Sequence, residues 1–167
     1  MLVKMEVQAT IVALAVVFLL LPDISHSLTL EQMPLSGLKA IFVSVADINP
    51  EVERLGLTKN QIKTDVELRL RKAGVRVLTE KEWLGTPAMP YIAVMVNVVI
   101  SGDHYACSGT VALKEAVTLD NGFKTIGAIW DTGYTGAGRK ENIRKIRESV
   151  GDLVDKFIND FLAANPK

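Results

Sequence analysis

The sequence predicts an α+β domain, with a sheet of antiparallel strands carrying two amphipathic helices on one face. Three observations lead there. Three β-rich stretches near the middle are joined by tight turn signals, so they must pair as a meander. Two other stretches repeat their apolar residues at helical spacing. Two helices can cover only part of a sheet, and one face for both is the simplest packing. The predicted order is β-α-β-β-β-β-α.

Gly37 opens the domain, after a lead-in at 28–36 expected to be flexible. Leu38 to Ala46 is the first strand, with Ile41, Val43 and Val45 on one face. Asp47 to Gly56 holds Pro50 and reads as a connection. Thr58 followed by Gln61 is a capping box, and Leu57 with Ile62 sit where a hydrophobic staple packs. Ile62, Val66, Leu70 and Ala73 form the helical stripe, and Gly74 stands at the C-cap. Arg69, Arg71 and Lys72 crowd its last turn, where cations suit the helix dipole.

Val75 to Leu78 resumes as a strand. Thr79 to Pro90 reads as a loop with at most one helical turn, carrying Trp83 as an exposed aromatic. Tyr91 to Ile100 is apolar on both faces and belongs at the sheet centre. Ser101-Gly102-Asp103 turns the chain into a long strand, His104 to Leu119. Asp120-Asn121-Gly122 is a hairpin signal, and Thr125 to Asp131 returns with Trp130 facing the core. A glycine-rich loop, 132–138, then leads to a helix from Lys140 to Ala163. Its stripe is Ile143, Ile146, Val150, Leu153, Val154, Phe157 and Phe161, and Asn165-Pro166 stops it.

Ahead of this domain, residues 1–27 read as an export signal. Ile11 to Leu21 is an unbroken apolar run of 11 residues closed by Pro22, against roughly 20 for a membrane-spanning helix. Ser25 and Ser27 flank His26 in the small-x-small pattern of a cleavage site. The expected location is therefore periplasmic or secreted. The alternative is anchoring by an uncleaved N-terminal segment, which would be the sole membrane contact. Cleavage leaves 18 of the 19 basic and 17 of the 19 acidic side chains, a balance of +1. That near-neutral charge provides no electrostatic footprint for nucleic acid. Cys107 is the single cysteine, so no intrachain disulfide forms, and its period-2 position with Tyr105, Gly109 and Val111 turns it toward the core.

Catalytic chemistry finds no footing. Beyond the signal only His104 remains as a histidine, and its neighbour Asp103 would point to the opposite face of a strand. Cys107 and His104 likewise diverge, which leaves no zinc pair. No catalytic residue, metal or cofactor is expected. The glycine-rich loop lies between a strand and a helix, a setting in which backbone N–H groups can cradle an anion. Its order, Gly133, Gly136, Gly138 and then Arg139-Lys140, fits neither a P-loop nor a dinucleotide fingerprint. The candidate binding residues are accordingly Trp83, Gly133, Tyr134, Gly136, Gly138, Arg139 and Lys140, with Tyr134 expected at an exposed loop tip.

Leu57-Thr58, the run Leu68-Arg69-Leu70-Arg71-Lys72-Ala73-Gly74-Val75, the Trp130, Gly133, Gly136 segment and the ending Phe157 to Pro166 resemble a family of small exported bacterial envelope proteins. The resemblance implies an envelope domain and carries over no activity or site. The expected function is a non-catalytic interaction domain, a monomer or weak dimer. It would meet an envelope protein partner through the 79–90 loop, the glycine loop or a free sheet edge. The alternative is an anion or anionic-lipid binder at residues 132–138 and the start of the last helix.

Overall fold

A computed structural model describes residues 27–166; apart from Ser27, the predicted export segment lies outside them. Among the described residues five strands form one open sheet in the order β2-β1-β3-β4-β5. They are β1 (Ala40–Val45), β2 (Arg76–Val77), β3 (Tyr91–Ser101), β4 (His104–Thr118) and β5 (Lys124–Arg139). The helices are α1 (Pro50–Arg54), α2 (Lys59–Lys72), α3 (Glu80–Leu84) and α4 (Ile146–Ala164), with 3₁₀ turns at Met33–Leu35 and Lys140–Lys145.

The α+β class and the β3-β4-β5 meander follow the sequence prediction, and α2 and α4 share one face. The sheet itself is mixed, because β1 runs parallel to both β2 and β3. The reason lies in the connections. An α-helical crossover through α2 returns the chain in the same direction, and the segment through α3 does so again, which hairpins cannot do.

Helix α2 starts as its sequence dictates. The Thr58 hydroxyl accepts from Gln61 N–H at 3.3 Å, and Gln61 Oε1 accepts from Thr58 N–H at 3.4 Å. Leu57 and Ile62, the staple pair, are both buried. Gly74 ends the helix at φ 84°, a left-handed backbone that a side chain would resist. Two ion pairs tie α2 to α4. Asp65 Oδ2 accepts from Arg147 at 2.6 and 2.8 Å, and Arg69 pairs with Asp155 while lying across Gly151.

The core lies between these helices and one sheet face. Ile41, Val43, Ile92, Val94, Val111 and Leu113 meet Ile62, Val66, Leu70, Val154 and Phe157 there. Phe157 alone, fully buried, contributes about 1.5–3 kcal/mol by leaving water. Trp130 packs edge-on to it at 5.1 Å and donates Nε1–H to Asp160 at 3.0 Å. Asp160 also accepts from Gln32 Nε2. The end of the lead-in contacts the domain: Leu35 is fully buried, and Gly37 N–H donates to Asn165 at 2.8 Å. Of the lead-in's apolar residues Leu35 enters the core, while Leu30 and Met33 stay exposed. On the opposite sheet face α3 covers only the Phe42–Tyr91 end, and Met95 and Val99 are left exposed.

Candidate functional site

The glycine-rich segment is not a loop. Residues 132–138 continue β5, which pairs with β4 up to Arg139. The turn that the sequence placed there is absent because the neighbouring strand makes these glycines useful inside the sheet. Gly109 faces Tyr134 across the ladder, and Gly138 faces Tyr105. A Cβ on Gly109 would lie 2.9 Å from Tyr134 Cζ and 3.0 Å from Cδ1, with Cε1 closer still. A Cβ on Gly138 would lie 2.9 Å from the Tyr105 hydroxyl oxygen and 3.0–3.1 Å from its ring. Each tyrosine lies flat on the glycine opposite, restoring the apolar cover that glycine lacks.

Tyr134 is accordingly half-buried and not an exposed tip. Its hydroxyl is enclosed and has no hydrogen-bond partner among the described residues. Burial pushes that hydroxyl well above the usual phenol range, and the adjacent Cys107 and Tyr105 push it further. Cys107 faces the core side as expected and is half-buried; burial raises its thiol.

The direction of the β5 backbone sets the character of its free edge. Lys140 N–H donates to Asp103 C=O at 2.8 Å, one step beyond the His104–Arg139 pair. Antiparallel pairs alternate between bonded and non-bonded, so Gly138, Gly136, Tyr134 and Thr132 bond to β4. Asp131, Gly133, Thr135, Ala137 and Arg139 therefore turn their N–H and C=O groups away from the sheet. All five are exposed. Trp130 pairs with Leu113 but Ala128 with Lys114, so Ile129 is a bulge. The bulge reverses the alternation below it and bends that part of the strand. Among the described residues the uninterrupted open edge thus runs from Asp131 to Arg139.

Arg139 and Lys140 do not crown a helix start. The predicted last helix begins with a 3₁₀ turn, and α4 proper starts at Ile146. Lys140 Nζ lies 3.9 Å from Glu51. A depression of about 500 Å³ here is lined by Asp103 and Glu141 as well as by Arg139, Lys140 and Arg144. Its cations are interleaved with carboxylates. The larger groove of about 810 Å³ between α2 and α4 contains both helix-to-helix ion pairs, which neutralise each other.

Trp83 is separate from the β5 residues. It belongs to α3, stacks on Phe42 at 5.1 Å, meets Tyr91 edge-on at 5.6 Å and donates Nε1–H to Met89 C=O at 2.7 Å. Those contacts hold it as a half-buried wedge at the far edge of the sheet. The Thr79–Glu82 capping box anchors α3 there. Thr79's N–H and hydroxyl, followed by Arg76, lower the Glu82 carboxyl from 4.5 to about 2. The structure therefore unites Gly133, Tyr134, Gly136, Gly138 and Arg139 on one strand and leaves Trp83 at the opposite margin. Sequence reasoning missed Asp131, Thr135 and Ala137. Their signal was Thr132, Tyr134 and Thr135, β-formers between glycines.

His104 is exposed at the hairpin, and among the described residues no charged residue is buried. Among the described residues no group of three His, Cys, Asp or Glu is disposed to hold a metal ion. No helix among them is long and apolar enough to cross a membrane.

No protein-family profile matches this sequence, and no curated protein matches it. Solved structures resemble it distantly. A PelC dodecamer from Paraburkholderia phytofirmans is 16% identical with a TM-score of 0.43, covering 75% of this chain and 88% of that one. A second crystal form of PelC gives 15% and 0.33, covering 78% and 92%. Rare lipoprotein B from Shewanella oneidensis gives 13% and 0.32, covering 74% and 90%. Likeness at this level carries no argument about activity, which has to be read from the chain's own surface.

Proposed function

We propose that this is an exported, non-catalytic interaction domain of the cell envelope that binds an extended polypeptide segment along the open edge of β5. One observation carries the reading: Asp131 to Arg139 present outward-facing backbone groups on exposed residues. Free edges are ordinarily blunted by Lys, Pro, bulges or brevity. The other margin of this sheet follows that practice, since β2 has two residues and an Arg76–Glu82 ion pair at 2.8 Å. The Asp131–Arg139 stretch has no Pro, no Lys and no charge between its ends.

An added strand would complete backbone hydrogen bonds worth about 0.5–1.5 kcal/mol each. The small residues Gly133 and Ala137 let a partner backbone approach closely. The Tyr–Gly pairing behind them keeps the strand rigid, so little ordering is required on this side of the complex.

The test is selection of extended peptides from a displayed library on the purified protein, followed by amide exchange of the complex. Bound peptides should protect Gly133, Thr135 and Ala137 and fail to bind Thr135→Pro. Protection of a different surface, with Thr135→Pro binding as tightly as the parent, would overturn the reading.

A further inference from the structure

The β5 edge is complementary to itself. It is bounded by the Ile129 bulge on one side and by the end of the strand at Arg139 on the other, and its midpoint is Thr135. When two such edges pair antiparallel about a two-fold axis through Thr135, every residue with outward groups meets another of the same kind. Thr135 faces Thr135 of the second copy, Gly133 faces Ala137, and Asp131 faces Arg139. Bonded pairs therefore fall on bonded positions throughout, as an antiparallel ladder requires.

The same register matches the charges. Asp131 and Arg139 lie on the same sheet face, both are exposed, and neither makes an ion pair among the described residues. Pairing about Thr135 places each Asp131 opposite the other copy's Arg139, twice by symmetry. On the helix-bearing face Tyr134 comes opposite Gly136 of the second copy, the same tyrosine-to-glycine arrangement it already makes with Gly109 inside the chain. Moving the register by two residues in either direction removes both charge pairs.

From this we infer that the occupant of the β5 edge is a second copy of the chain, joined through Asp131–Arg139 into a continuous two-fold sheet with the helices on one face. The inference rests on the strand-addition reading above and narrows it. The contact is one strand wide, below the area of a tight interface, so the dimer is weak and concentration-dependent.

Sedimentation equilibrium of the purified protein tests the register. The parent should dimerise reversibly. Asp131→Arg and Arg139→Asp, each alone, should weaken the dimer about tenfold, because two attractive pairs become repulsive. An equimolar mixture of those two variants should recover the parent's affinity, since only the mixed dimer restores opposite charges at both sites. Thr135→Pro should abolish dimerisation with the fold intact by circular dichroism. A parent dimer indifferent to both charge reversals refutes the register. A parent that stays monomeric while extended peptides still protect Gly133, Thr135 and Ala137 refutes the second copy and spares strand addition. A monomer whose edge takes no peptide refutes both.

Discussion

Replacing Gly109 by alanine separates a packing role for the β4–β5 glycines from a ligand-cradling one. At Gly109 the backbone lies outside the left-handed region, so alanine brings no φ strain. Taken alone, the change should favour the strand by about 0.5–1 kcal/mol. The new methyl, however, would fall inside the Tyr134 ring contact, 2.9 Å from Cζ. The ring is part-buried with its hydroxyl enclosed and cannot swing out without exposing apolar area. Overpacking of this kind costs about 1–3 kcal/mol. The balance is a loss of about 1–2 kcal/mol, or about 3–6 °C in Tm. Urea unfolding followed by circular dichroism, in a double-mutant cycle with Tyr134→Ala, reads the coupling directly. With the ring gone, Gly109→Ala should become neutral or stabilising, which gives a coupling energy of about 2 kcal/mol. An equal effect with and without the ring would refute the argument.

Other outcomes follow from the same geometry. Thr135→Pro removes an outward N–H and should change stability by less than about 1 kcal/mol. Gly136→Pro removes a ladder donor and should cost about 2 kcal/mol or more in the same urea assay. Glu82, held at about 2 in the folded chain against 4.5, stabilises the fold above pH 4.5, and that contribution disappears as pH falls toward 2. Glu82→Gln should flatten this part of the stability–pH curve measured by thermal melts.

Much of the fold was legible because local chemistry and tertiary packing agreed. The Thr58–Gln61 box, the Ile62–Val66–Leu70 stripe, the Gly102-Asp103 and Asn121-Gly122 turns and the core placement of Trp130 all stand where the sequence put them. The parallel setting of β1 against β2 was implied by the strand–helix–strand order over 38–78 and was missed, whereas its second pairing, with β3, is a non-local choice that the sequence does not show. Residues 132–138 misled for a more specific reason. Glycine in isolation signals a turn, and only the facing strand, with Gly109 opposite Tyr134 and Tyr105 opposite Gly138, turns it into a sheet residue. The candidate residues Gly133 to Arg139 were thus found by composition, while their chemistry as a strand edge depended on the ladder. Leu35 carried the opposite lesson: the lead-in holds Leu28, Leu30, Met33 and Leu35, and which of them docks is decided by the core it meets, where Leu35 is fully buried and Leu30 and Met33 are exposed.

Binding along this edge depends on which way the β5 backbone faces. Hydrogen exchange of the dilute protein, followed residue by residue by NMR, measures this directly. The amides of Gly133, Thr135 and Ala137 should exchange within the dead time, while those of Thr132, Tyr134, Gly136 and Gly138 stay protected. Uniform protection across residues 132–138 would show an edge already satisfied. Uniformly fast exchange would show a loop, and either result contradicts the open strand.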